Sequence, residues 1–370
     1  MSFVMVSPSQ SLEASDEARR EDGRPTPLVG RLAPSPTGLL HLGHARSFLL
    51  AWWSIRSRGG RVLLRMEDLD PERVKPGSAD AVLRDLEWLG MDWDGPVTWQ
   101  SERSELYHDA LRGLEAKQVA YPCVCSRKEV AHASRAPHEA SPSVAALRAD
   151  QQTQNASVTA EQSNKAHRIA LDPSAIGDIY PGTCRGRFAS LQEAQATGRP
   201  VAWRFHTERG PAEVVFEDAM HGRKRSCVWR ETGDFMLTRR DLIASYQLAV
   251  VVDDVEQGIS EVLRGDDLLS STARQELIYA ALGAKPPCWI HVPLVTDRSG
   301  RRLAKRSDDL SLTELREGGV KAESIVRWVA ASAGMQTESG HLAADWISEW
   351  SLDSLSREAV VVDPAHFTRS

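Results

Sequence analysis

His41 and His44 stand three residues apart in the stretch Ala33–Arg46, which reads APSPTGLLHLGHAR. Its glycines let backbone approach a ligand closely, and a helix opening there offers unpaired N–H groups and a positive dipole end to an anion. Two imidazoles at such an entrance can address one phosphate. Glu67, Asp68 and Asp70 form an acidic group further on, and Arg31 and Arg65 add positive charge close by. Cys123, Cys125 and Cys184, with Tyr180, make a third constellation. Cys-x-Cys alone fits either a metal site or buried thiols.

These residues need elements to hold them. Leu28–Ala33 is a short β-prone run, and the turn-rich PSPTG follows it. The spacing of Ala45, Phe48, Leu49, Trp52 and Ile55 predicts a helix over His44–Arg56, which Gly59-Gly60 ends. Arg61–Met66 reads as a second strand. That is a β-α-β unit with a right-handed crossover and parallel strands. Both strands then end on one sheet edge, where open α/β folds bind ligands, so the loop 34–43 faces Glu67, Asp68 and Asp70. Ser78 is expected to cap a further amphipathic helix that stops at Gly90, and another begins near Ser101 or Ser104. A strand is expected over Trp289–Val295 and a helix over Glu323–Ala333.

The chain of 370 residues is long enough for two domains of about 100–200 residues. Its formal charge of −6 gives no global cationic field, so a nucleic acid would be met by local patches: Arg223-Lys224-Arg225, Arg239-Arg240 and 298–306. No apolar run approaches the ~20 residues that cross a bilayer. The N-terminus lacks a secretory pattern, and five cysteines are too few for a disulfide framework. A cytoplasmic, monomeric protein is the expectation. Residues 1–27 and the insert 136–167 are too poor in large apolar groups to bury a core and read as disordered, with a short helix conceivable over Val144–Arg148. Cys227 and Cys288 read as ordinary core or surface thiols.

GRLAPSPTGLLHLGHAR resembles the HIGH signature of class I aminoacyl-tRNA synthetases, specifically their glutamate branch. RMEDLDPER (65–73), YPCVCSRKEV (121–130), YPGTCRGR (180–187), ASYQLAVVVDD (244–254) and EVLRGDDLLSSTARQ (261–275) extend the likeness in order. The resemblance implies an α/β fold: a Rossmann-like, doubly wound parallel sheet with a zinc-binding insertion and a short helical C-terminal region. It places a catalytic domain in 28–120 and 188–310, the insertion in 121–187 and a helical remnant with a tail in 311–370. It implies that Arg31, Leu32, Ala33, Pro34, Ser35, Glu67, Tyr246 and Arg264 bind L-glutamate. Without that role, Arg264 could simply pair with Asp266 or Asp267. ATP with Mg²⁺ would be held by His41, Gly43, His44, Arg302 and Lys305, with His41, His44 and Lys305 catalytic. The RLAKR loop departs from the family pattern, with Arg302 in place of the first lysine and Ala304 in place of the usual serine. Cys123, Cys125, Tyr180 and Cys184 would ligate a structural Zn²⁺.

Only 64 residues follow Arg306 (370 − 306). The stretch after about Gln336 falls below the ~40 residues at which unaided folding fails, leaving room for a helix pair or a loose tail, not an anticodon-reading domain. This resembles the truncated synthetases of the branch, which attach glutamate to the queuosine base of tRNA(Asp). The partners implied are L-glutamate, ATP and tRNA(Asp) carrying queuosine. A truncated enzyme charging tRNA(Glu), or a non-catalytic paralogue that binds glutamate or tRNA, also fits the residues.

Overall fold

The computed structural model describes residues 27–135, 179–301, 303, 311–336, 341–362 and 367. The N-terminal arm and the insert with its conceivable helix lie outside them, as do Arg302 and Lys305.

Strand β1 (Val29–Leu32), helix α1 (Leu42–Arg56) and strand β2 (Arg61–Met66) form the expected unit, with β1 and β2 parallel and Leu32 opposite Leu64. Helix α1 begins two residues before the apolar rhythm predicts because His41 caps it. Gly30 lets α1 lie close on β1: a Cβ there would sit 2.4 Å from Ile55 Cγ1. Helix α2 (Ser78–Trp88) starts at Ser78, but Gly77 takes the cap position with φ +74° and no side-chain cap bond. The turn before the helix needs a left-handed residue, which glycine adopts freely and serine resists. Ser78 instead donates its hydroxyl to the carbonyls of Pro36 and Lys75, tying down the loop that follows β1.

Strand β3 (Thr98–Trp99) extends the first sheet in parallel, and helix α3 (Ser104–Ala116) follows. Strand β4 (Ala120–Cys123) leads into α4 (Arg127–Arg135), and after the insert come α5 (Leu191–Gln195) and β5 (Ala202–Phe205), which pairs antiparallel with β4. A hairpin of β6 (Val214–Asp218) and β7 (Gly222–Ser226) precedes α6 (Val228–Glu231) and α7 (Tyr246–Glu256). Then β8 (Glu261–Gly265), α8 (Leu269–Leu282) and β9 (Cys288–Val292) build a second sheet in the order β7-β6-β9-β8. Strands β1 and β8 are stitched where Ser260 N–H donates to the Val29 carbonyl at 2.9 Å. The gap between β1 and β8 is the point at which chain order reverses, where α/β sheets bind ligands.

Helix α1 packs Leu49, Leu50 and Trp53 into a core shared with β2 and α2, while α7 and α8 build a second core on the other sheet. Among the described residues, the stretch after about Gln336 forms two 3-10 turns and a short strand in place of a helix pair. Short strand β10 (Val295–Thr296) pairs in parallel with β11 (Val360–Val361). Between them come α9 (Leu312–Glu317), α10 (Ala322–Ser332) and two 3-10 turns, whose Trp346, Leu352 and Leu355 complete the first core. Trp53 Nε1–H donates to the Ala343 carbonyl at 2.8 Å, fastening that segment to α1. Among the described residues, no helix is long and apolar enough to cross a membrane.

Candidate active site

The carboxyl ends of β1, β2 and β8 open into a cleft of about 710 Å³, bordered by the start of α1 and by Tyr246. Arg31, Ala33, Pro34, Ser35, His41 and His44 line it, as do Gly43, Glu67 and Arg264. Leu32 does not: it is fully buried in the first core.

The two histidines cap α1 as a pair. His41 Nδ1 accepts from Gly43 N–H at 3.1 Å, and His44 Nδ1 accepts from His41 N–H at 3.2 Å. Their rings lie 3.7 Å apart. Glycine at position 43 leaves room for this geometry: a Cβ there would lie 3.0 Å from the His41 ring, which would have to give way by a few tenths of an ångström. Accepting at Nδ1 assigns each imidazole its neutral form with the proton on Nε2. Each ring is thus a donor through its other nitrogen, at the positive end of a helix.

Beyond the cleft edge lies a buried charge network. Arg65 Nη1 meets Asp254 Oδ1 at 2.7 Å, and Arg65 also lies 3.6 Å from Glu67 and 3.7 Å from Asp253. Burial works against the Arg65 charge, but Asp254, Glu67 and Asp253 outweigh it and hold its pKa above the ordinary value. Arg31 pairs with Asp254 at 3.6 Å, while burial lowers its pKa. Glu67 is pushed up by burial, against the pull of Arg65 and Arg31. Asp253 accepts from Tyr107, Gln100 and Arg103, closing the network from α3.

Arg264 is held differently. Its Nε donates to His291 Nε2 at 2.9 Å, and Nη2 donates to Gln275 Oε1 at 2.8 Å and Thr272 Oγ1 at 3.0 Å. Nη1 donates to the Tyr246 hydroxyl at 3.3 Å. Among the described residues no carboxylate forms an ion pair with it, so neither Asp266 nor Asp267 is its partner. An arginine held by neutral groups keeps its charge for a ligand.

Lys305 and Arg302 lie outside the described residues, yet Leu303 between them and Leu312 after them are anchored at the cleft. Leu303 N–H donates to the Val295 carbonyl, and Leu312 N–H donates to the Leu40 carbonyl at 2.8 Å, next to His41. Arg239, one of the expected basic residues, bridges to Asp70 at 2.8 Å across the cleft rim. Arg223 and Arg225 pair with Glu217 and Glu213 along the β6–β7 hairpin, so much of that patch is neutralised within the protein.

The sulfurs of Cys123, Cys125 and Cys184 lie within 4.8 Å of one another in a separate small core. The Tyr180 hydroxyl joins them, 3.3 Å from Cys123 Sγ and 3.6 Å from Cys125 Sγ, while accepting from Cys184 N–H at 2.9 Å. Burial and the cysteine contacts raise the Tyr180 pKa, whereas hydrogen bonding from Cys123 lowers that of Cys184 to about 6. Three converging thiols and a phenol fit a tetrahedral, thiolate-rich ion such as zinc. Cys227 and Cys288 stand apart as half-buried thiols.

Sequence reasoning missed Asp218, His291, Thr272 and Gln275 as parts of the site. Asp253 and Asp254 do carry a sequence signal: two adjacent carboxylates ending the apolar run LAVVV point to paired buried charge.

Comparison with known proteins identifies the family. The family model described as "tRNA synthetases class I (E and Q), catalytic domain" matches residues 27–345. A Rhodopirellula baltica protein named Glutamyl-Q tRNA(Asp) synthetase is 42% identical over 339 residues, covering 90% of this chain and 92% of its own. Another of that name from Nitratidesulfovibrio vulgaris is 40% identical, covering 83% of this chain and 87% of its own. The crystal structure of a glutamate tRNA ligase from Elizabethkingia meningosepticum superposes with a TM-score of 0.68 at 23% identity, covering 91% of this chain and 67% of that one. At that identity the superposition speaks for the fold. The chain belongs to the class I tRNA synthetases of the E and Q type, alongside relatives named Glutamyl-Q tRNA(Asp) synthetase.

Proposed function

We propose that the chain activates L-glutamate with ATP and Mg²⁺ and transfers the glutamyl group to the queuosine base of tRNA(Asp). One observation carries this reading. A single cleft joins a histidine-capped helix entrance, suited to phosphates, to Arg264, Arg31 and Glu67, suited to an acidic amino acid. The names of the relatives supply the tRNA and its modified base.

In the first step a glutamate α-carboxylate oxygen attacks the α-phosphorus of ATP, and the bond to pyrophosphate breaks. His41 and His44 donate to the phosphates, and Lys305 neutralises charge on the departing pyrophosphate. Arg302 adds charge beside ATP but lacks the compact ammonium of lysine. Gly43 lets the nucleotide approach the helix. Glu67 accepts the α-ammonium and Arg264 takes the side-chain carboxylate, with Tyr246, Arg31 and the backbone of 33–35 closing the pocket. In the second step a hydroxyl of the queuosine cyclopentene ring attacks the glutamyl carbonyl, and AMP leaves. Most of the acceleration comes from positioning and electrostatics. Cys123, Cys125, Cys184 and Tyr180 would hold Zn²⁺, whose part is to fasten the insertion.

Transfer of labelled glutamate tests this function. Labelling of tRNA(Asp) that disappears when queuosine is absent is the expected result. Labelling of tRNA(Glu) instead would identify a truncated enzyme of ordinary charging activity, and labelling of neither would leave a binding protein.

A further inference from the structure

Arg264 is oriented by a chain of buried groups that reaches away from the cleft across the second sheet. His291 faces it directly across the sheet, since Arg264 on β8 is in register with His291 on β9. Behind His291 stands Asp218, at the end of β6, with Oδ2 at 2.6 Å from His291 Nδ1. All three side chains are buried, His291 completely.

The hydrogen bonds of Asp218 dictate the protonation of the ring. Oδ1 accepts from Met220 N–H and His221 N–H, at 3.0 and 2.9 Å, and Oδ2 also accepts from His291 N–H at 3.2 Å. A carboxylate surrounded in this way by donors can only accept, so Nδ1 carries the imidazole proton and Nε2 is left as a lone pair. That lone pair accepts Arg264 Nε–H at 2.9 Å and lies 3.2 Å from the Thr272 hydroxyl.

We propose that Asp218 and His291 are positioning residues for glutamate recognition: Asp218 fixes the His291 tautomer, and His291 holds the Arg264 guanidinium without neutralising it. The inference rests on the assignment of Arg264 to the side-chain carboxylate of glutamate. A carboxylate in the place of His291 would orient the guanidinium equally well but cancel its charge, and the pocket would lose its preference for an acid over the corresponding amide. A neutral imidazole supplies orientation alone. Burial lowers the His291 pKa to about 4, against the pull of Asp218, so the ring stays neutral beside the arginine. Trp289 lies under the guanidinium at 5.0 Å, adding a face that attracts the cation and again does not cancel its charge.

The test is glutamate-dependent pyrophosphate exchange by the full chain, with KM measured for glutamate, glutamine and ATP. H291L and D218N should each raise the glutamate KM by about tenfold or more, the scale of one hydrogen bond to a charged group. The ATP KM should stay put and the preference for glutamate over glutamine should fall. In D218N the amide N–H₂ either faces the two backbone donors, which repels it, or turns to His291 Nδ1, which reverses the tautomer; either way the hold on the ring is weakened. H291Q, whose Oε1 reaches the place of Nε2, should restore the glutamate KM, and H291N, which is too short, should not. Should H291L fail to fold, the H291Q and H291N pair decides, and equal KM values for the two would overturn the proposal. R264Q separates the two readings. If R264Q raises the glutamate KM while H291L and D218N leave it at the wild-type value, the positioning role is wrong and the site assignment survives. If R264Q has no effect, the assignment itself fails and the proposal with it.

Discussion

His41 does two jobs in this structure, and one substitution separates them. Its Nδ1 caps α1 through Gly43 N–H, and its other nitrogen is the proposed phosphate donor. Asparagine is among the strongest cap residues, so H41N should keep the helix start intact. H41A should cost about 0.5–2 kcal/mol of stability, the usual range for losing a cap. Neither variant retains a donor at the imidazole Nε2 position. Losing one oriented donor to charge that develops in a transition state costs about 10²–10³ in rate, or ~2.7–4 kcal/mol. Glutamate-dependent pyrophosphate exchange should therefore fall by that factor in H41N and H41A alike, while urea midpoints distinguish the two. Cap and chemistry would then be separated in one experiment. If H41N exchanges pyrophosphate within a few-fold of wild type, the imidazole serves the helix alone and the phosphate role is refuted.

Three other outcomes follow from the same geometry. K305A should lower adenylate formation by orders of magnitude, measured as exchange at saturating glutamate and ATP; a few-fold change would dismiss the role of the loop. Glu67 must be ionised to hold an ammonium, and burial raises its pKa above the ordinary 4.5. Glutamate affinity should therefore weaken as pH falls, starting at a higher pH than a water-exposed carboxyl would give. E67Q should bind weakly and lack that acid limb, and identical profiles for E67Q and wild type would count against the assignment. Purified protein should contain zinc near one equivalent by elemental analysis, and C184S should lose it along with thermal stability. Metal-replete protein without zinc would show that the cysteine cluster is a plain thiol core.

How much of this was legible from sequence depends on the distance over which each constraint acts. Helix α1 and strands β1 and β2 follow from local rhythm and glycine punctuation, and the loop between them carries the histidines wherever that unit folds. Serine's capping preference points to Ser78, but it competes with the left-handed turn at Gly77, which moves the cap back one residue. The C-terminal segment has no 3.6-residue repeat to reveal its packing. Trp346, Leu352 and Leu355 are buried by contact with α1 and its neighbours, not by a helix of their own. The Asp218–His291–Arg264 chain joins residues 73 and 27 positions apart, on three different strands. Nothing in the spacing of such residues announces that a sheet will place them side by side.

The central claim is that ATP and an acidic amino acid react in one cleft, and exchange of labelled pyrophosphate into ATP measures this most directly. With Mg²⁺, exchange should require glutamate and should not be supported by glutamine or aspartate at the same concentration. No exchange with glutamate, whether tRNA(Asp) is present or absent, or equal exchange with glutamine, would contradict it.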